Sequence, residues 1–155
     1  MTSQDFDLVS LALTMADWRR DFHAFPELAY AEKRTGAIVA EALSSFGLET
    51  HSGIAGTGVV GVLDFGPGPS VGFRADMDAL PIHEATRLPY ASRREGVMHA
   101  CGHDGHMAML LGAAKALSQR QDLCGRIVFI FQPAEENEGG ARAMVEGGLF
   151  TRFPV

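Results

Sequence analysis

The chain has 155 residues, 46% apolar and 21% charged, with 13 Lys and Arg against 19 Asp and Glu for a net charge of −6. That is the length of one ordinary domain with a sizeable core, too apolar for a disordered tail and in no need of disulfide staples. The acidic balance argues against nucleic-acid or membrane partners, and no apolar run approaches the roughly 18 residues that span a bilayer.

The two cysteines fit a reducing compartment. Asp5 and Asp7 stand where a signal peptide would carry basic residues, so a cytoplasmic location is expected. Leu8, Leu11, Ala12, Met15, Trp18 and Phe22 recur at helical spacing and predict a first amphipathic helix that Pro26 stops. A second helix is expected through Ile38, Val39, Ala42, Leu43 and Phe46, with Gly47 just past its C-cap. The pattern then turns to β. Val59, Val60, Val62, Leu63 and Phe65 form a strand ended by Gly66-Pro67-Gly68-Pro69, and Ser70 to Ala75 resumes as a strand leading into Asp76-Met77-Asp78.

A third, buried helix is expected from about Gly105 to Ser118, carried by Met107, Leu110, Leu111, Ala114 and Leu117. Ile127 to Phe131 is a continuous apolar strand of the kind covered on both faces. Gln132-Pro133 ends it, and a short helix follows around Gly140 to Val145. This succession predicts a three-layer α/β arrangement, with the chain stopping at Phe153-Pro154-Val155 without a closing element.

Three clusters can carry chemistry, each where a strand pattern ends or a helix pattern begins. Asp76 and Asp78, two apart in an extended segment, point to one side. That suits one metal-facing and one orienting carboxylate, or simply a polar strand end. His99-Ala100-Cys101-Gly102-His103-Asp104-Gly105-His106 packs three imidazoles, a thiol and a carboxylate into eight positions, a dense set of metal donors. Its alternatives are a helix start capped by Asp104, or a nucleophilic Cys101 activated by a histidine. In Gln132-Pro133-Ala134-Glu135-Glu136, adjacent carboxylates at a buried strand end repel unless a cation compensates. One Glu can then ligate metal while its neighbour takes a proton from water; the alternative is an acidic loop before a helix.

The remaining residues take ordinary readings. Cys124 is expected as a small buried hydrophobe, His51 and His83 as surface groups, and His23 as a cation near a helix end. Gly56-Thr57-Gly58 is too short for a phosphate loop.

Taken in order, RRDFHAFPELAYAE (19–32), GFRADMDALPIHE (72–84), MHACGHDGHMAMLLGAA (98–114) and GRIVFIFQPAEENEGGA (125–141) resemble the M20 family of metallopeptidases. The similarity is to the amidohydrolase branch of hippurate hydrolases, N-acyl-amino-acid and N-acetyldiaminopimelate deacetylases, and auxin-conjugate hydrolases. It implies a three-layer α/β/α, zinc-exopeptidase-like (phosphorylase/hydrolase-like) sandwich with a mixed sheet. It also implies metal-dependent cleavage of the amide bond of N-acyl amino acids. By that resemblance Cys101, His103 and Glu136 would hold metal, Glu135 would be the general base, and Asp78 the active-site aspartate that orients a ligand. Asp76, which sits where other branches carry a metal-binding histidine, Asp104 and His106 would stand around these groups. The cofactors implied are two divalent ions per complete site, zinc or manganese, with cobalt also admitted. The substrate would be a small N-acyl amino acid, and the complete enzyme could be a homo-oligomer.

Relatives carry further histidine ligands after the QPAEE segment and an inserted lid or dimerisation domain, whereas this sequence has no histidine after His106. Residues 1–155 are therefore expected to be the N-terminal part of the catalytic domain. The lid and the C-terminal half would be absent and the sheet incomplete, with an open strand edge. The rival expectation is a catalytically inactive remnant that at most binds a metal ion or a partner.

Overall fold

A computed structural model describes residues 7–136 and 138–155. Helix α1 (Leu8–Ala24) starts at Asp7, whose carboxylate accepts from the Ser10 N–H at 3.0 Å, and stops just before Pro26. Leu11 and Phe22 of its apolar stripe are buried and Trp18 packs against the core, but Leu8 and Ala12 in its N-terminal half are exposed. Helix α2 (Lys33–Ser45) buries Val39 and Leu43 and closes on Gly47 at φ +84°, the left-handed residue expected after the cap.

Four strands follow: β1 (Glu49–Ile54), β2 (Gly58–Asp64), β3 (Ser70–Asp76) and, after helix α3 (His103–Ser118), β4 (Arg126–Gln132). Their spatial order is β1-β2-β4-β3, with β1/β2 and β2/β4 antiparallel and β3/β4 parallel. Side chains alternate across this mixed sheet. Val59, Leu63, Ala75, Phe129 and Phe131 join α1, α2 and α3 in one core. Val60, Val62, Val128 and Ile130 join Met144, Leu149 and Phe153 in a second. The helical layer on this face is built by α4 (Gly140–Glu146) and α5 (Leu149–Arg152), so helices cover both faces of the mixed sheet, as expected of an α/β/α arrangement.

Several expectations need correction. Strand β1, Glu-Thr-His-Ser-Gly-Ile, is largely polar and exposed, so it has no alternating signature; its ladder with β2 makes it a strand. Helix α3 begins at His103, two residues before the expected start, because Gly102 takes the left-handed conformation that opens it. A short helix that the sequence did not announce, the single turn α5, brings Leu149 and Phe153 into the second core, and 153–155 lie outside any helix or strand. Cys124 is exposed, since it lies in the loop between α3 and β4 rather than on either.

Among the described residues β3 pairs only with β4, leaving its outer edge open with Val71 and Phe73 47% and 44% exposed. An apolar groove of about 350 Å³ lies beside it on the α4/α5 side, lined by Gly72, Phe73, Met144, Leu149, Phe150 and Val155. No helix among the described residues is long and apolar enough to cross a membrane.

Candidate metal centre

The parallel strands β3 and β4 end side by side, with Asp76 opposite Gln132. The segments leaving them, 77–80 and 133–136, therefore run next to each other, and the start of α3 meets them there. Local backbone features fix each piece. Gly102 at φ +86° turns the chain so that His103 opens α3. Ala134 is held at φ +53°, a left-handed conformation costing a non-glycine residue about 1–2 kcal/mol. A buried carboxylate compensates: Glu32 Oε1 accepts from the Ala134 N–H at 2.9 Å, while its Oε2 accepts from the Thr57 hydroxyl at 2.6 Å. Gly140 is required because a Cβ there would stand 1.7 Å from the Pro133 carbonyl oxygen.

This scaffold brings together one donor atom from each of Cys101, His103 and Glu136, all within 4.8 Å of one another. Cys101 is exposed, His103 buried and Glu136 half-buried, so the group opens to solvent from one side. His103 Nδ1 lies 2.8 Å from the Asp78 backbone oxygen, which commits that nitrogen as the donor and leaves Nε2 facing outward. The Asp78 carboxylate is 3.6 Å from the same nitrogen, too far for a hydrogen bond but close enough to favour the imidazolium. That carboxylate holds His103 up at about 9, against the opposing effect of burial. Asp78 itself is disfavoured as an anion by burial. The His103 ring and the backbone N–H groups of Glu136 and Glu135 outweigh this and lower it below the ordinary carboxylate range.

Glu135, next to the cluster, projects toward solvent, its side chain 38% exposed and its Oε2 3.9 Å from His103 Nε2. Asp76 Oδ2 accepts from Arg74 at 3.1 Å. His106 is exposed on α3, its ring centre 5.8 Å from that of His103 and outside the three-donor group. Asp104 does not cap α3; it is buried within the first turn and faces Arg19 and His23. His23 stands in the last turn of α1, as expected, and is buried there between the carboxylates of Asp104 and Glu84.

The donor set fits a divalent ion. Asp76 Oδ1, Asp78 Oδ1 and Glu136 Oε1 are buried without a hydrogen-bond partner, three unsatisfied carboxylate oxygens on the segments that carry or adjoin the donors. Sulfur, imidazole and carboxylate together are the donors zinc-type ions take. The alternative of a nucleophilic Cys101 is disfavoured: contact with the Glu136 carboxylate, then burial, pushes its thiol up, the reverse of activation.

Read from sequence alone, Glu32, His23 and Glu84 have no part in the site, although the structure sets them against its supporting turns. Their only signal was charge placed inside otherwise apolar or matching stretches, and such charge reads as surface until its partner is known. His99, part of the donor-rich cluster, is buried with neither ring nitrogen hydrogen-bonded.

Residues 72–155 match peptidase family M20/M25/M40. The chain is 53% identical over 136 residues to a hippurate hydrolase of Campylobacter jejuni, covering 87% of this chain and 35% of that protein. It is 52% identical over 141 residues to an N-acyl-L-amino acid amidohydrolase of Geobacillus stearothermophilus, covering 89% and 38%. Among solved structures it superposes on the Bacillus subtilis YXEP protein, a dinuclear metal-binding peptidase of the M20 family. The TM-score is 0.87 at 41% identity, covering 92% of this chain and 41% of that one. The chain thus spans 35% to 41% of the length of these relatives, and it shares the zinc-exopeptidase-like fold of its M20 neighbours. On sequence and fold alike, the chain belongs to peptidase family M20/M25/M40.

Proposed function

We propose that this chain carries the metal-binding part of an amidohydrolase site that cleaves the amide bond of N-acyl amino acids. The observation that supports this reading most is the convergence of Cys101, His103 and Glu136 within 4.8 Å, with Glu135 beside them. Those three residues would hold the ion through thiolate, Nε2 and carboxylate. Bound there, a divalent cation supplies a Lewis acid for the amide carbonyl and for an attacking water. Zinc suits the sulfur and nitrogen donors, while the carboxylates also admit manganese or cobalt. YXEP is dinuclear, and a second ion here would need donors beyond the three that cluster.

Glu135 is assigned as the general base. It is a carboxylate adjacent to the donors, exposed enough to meet water, and it would take the proton of the attacking water and return it to the leaving amine. Asp78 orients: its backbone oxygen fixes the His103 tautomer and its Oδ2 receives the Glu136 N–H at 2.9 Å. Names of the two curated relatives, a hippurate hydrolase and an N-acyl-L-amino acid amidohydrolase, support a small N-acyl amino acid as substrate. The experiment is hydrolysis of hippurate by the metal-loaded chain, with a chelator control. Turnover that the chelator abolishes is expected, and metal-independent turnover would contradict the reading.

A second reading is favoured by one observation: among the described residues only three donors cluster, whereas a zinc ion usually takes four ligands. On that reading the chain binds a metal ion but lacks turnover by itself. Stoichiometric metal uptake without hippurate hydrolysis would select it.

A further inference from the structure

Behind the three donors lies a second cluster of charge that the proposed chemistry does not use. Asp104 follows His103 in the chain and is 1% exposed. Its Oδ2 receives Arg19 Nε at 2.9 Å and lies 2.8 Å from His23 Nδ1. The other His23 nitrogen is 3.1 Å from Glu84 Oε1. Glu84 in turn accepts from the Ser92 N–H at 2.5 Å and from the Thr86 hydroxyl. Arg19 also donates to the Tyr90 hydroxyl at 3.2 Å, and the His23 ring stands edge-on to Tyr90. One network thus ties α1, the long 79–98 segment and the first turn of α3.

Burying several charges together is a costly way to fill space, and apolar side chains of the same volume would usually do better. What an ionic cluster adds is a fixed orientation. The first turn of α3 has need of one, because its N-cap is Gly102 and no side chain caps it. His103 is adjacent to Asp104 on that turn, so any rotation of the turn moves the imidazole, and Cys101 lies just before it. Metal donors tolerate displacements of only about 0.2 Å.

We propose that Arg19 and His23, acting through Asp104, are positioning residues that fix the first turn of α3, and with it the His103 ring and the Cys101 thiol, in the geometry a metal ion requires. This rests on the metal-site reading above.

The test is titration with Co(II), whose thiolate charge-transfer absorption reports the sulfur ligand directly. It compares the wild-type chain with His23→Gln, the isosteric Asp104→Asn, and Arg19→Gln, whose parent side chain is 39% exposed and so removable without a core defect. Met144→Ala, in the core on the opposite face of the sheet, serves as a control for stability alone. The network variants should bind cobalt about 10- to 100-fold more weakly with an altered charge-transfer band. Met144→Ala should lower the melting temperature yet keep wild-type affinity and spectrum. Network variants with unchanged affinity and band, or losses that follow melting temperature through Met144→Ala as well, would overturn the proposal. A wild-type chain that binds no cobalt would instead defeat the metal-site reading itself.

Discussion

Asp78 and Glu136 lie 58 positions apart, yet Asp78 Oδ2 accepts the Glu136 backbone N–H at 2.9 Å. The same aspartate offers its backbone oxygen to His103 Nδ1 at 2.8 Å. One residue just past β3 therefore meets the ring of His103 at the start of α3 and the backbone of Glu136 after β4. Replacing it by Ala should weaken metal binding about 10- to 100-fold, as removal of such supporting groups does elsewhere. Asp78→Asn, which keeps an acceptor oxygen, should lose less. Calorimetric zinc titration of the two variants checks the order, and equal affinities in Asp78→Ala and wild type would contradict the orienting role.

Glu135 and Glu136 are neighbours with different assignments, and substitution should separate them. In protein that turns over hippurate, Glu135→Gln should lower kcat about 10²- to 10⁴-fold, the usual worth of general-base catalysis, while metal content stays at the wild-type level. Glu136→Gln should lose metal and turnover together. Metal analysis beside an activity assay distinguishes them; an active Glu135→Gln variant would remove Glu135 from the mechanism.

Glu32 is fully buried and its two oxygens satisfy Ala134 and Thr57. Glu32→Leu leaves the Ala134 N–H without a partner, at a cost of about 1–3 kcal/mol, and frees a residue held at φ +53°. The variant should unfold at lower denaturant concentration and bind metal more weakly, because Ala134 leads directly into Glu135 and Glu136. Urea melts with a zinc titration test both, and loss of stability with intact metal affinity would show that the 133–136 turn holds without Glu32.

Burial drives His99 down to about 4 from an ordinary 6.5. The folded chain keeps this ring neutral while the unfolded chain protonates it, so between pH 6.5 and 4 the unfolded state binds the extra proton. The stability associated with a neutral His99 is complete above 6.5 and is lost as pH falls toward 4, at about 1.4 kcal/mol per pH unit. His99→Leu, which cannot titrate, should flatten that limb. Urea melts across the window measure it, and identical slopes in wild type and variant would contradict the assignment.

Much of the fold was legible because its signals are local and redundant. The α2 stripe ends on a glycine that the structure finds at φ +84°, and Ile127 to Phe131 is apolar at every position, as a strand covered on both faces requires. β1 was not legible, because a polar edge strand exists only through its partner. α5 is a single turn, shorter than any periodicity can register. The site divides similarly. The 99–106 cluster and the Glu135-Glu136 pair stood out through density of donor types, but the choice of Cys101, His103 and Glu136 among them came from the family resemblance; the structure sets donor atoms of these three within 4.8 Å of one another. Arg19, His23 and Glu84 did not stand out, since a charge looks solvated until the carboxylate or cation facing it is known.

On the proposed function, sulfur, imidazole and carboxylate from two separate stretches of chain share one ion. X-ray absorption at the zinc edge of the zinc-loaded chain tests it most directly. It should show one sulfur neighbour at about 2.3 Å with nitrogen and oxygen near 2.0–2.1 Å, the sulfur disappearing in Cys101→Ser. A zinc ion surrounded only by nitrogen and oxygen in the wild-type chain would contradict it.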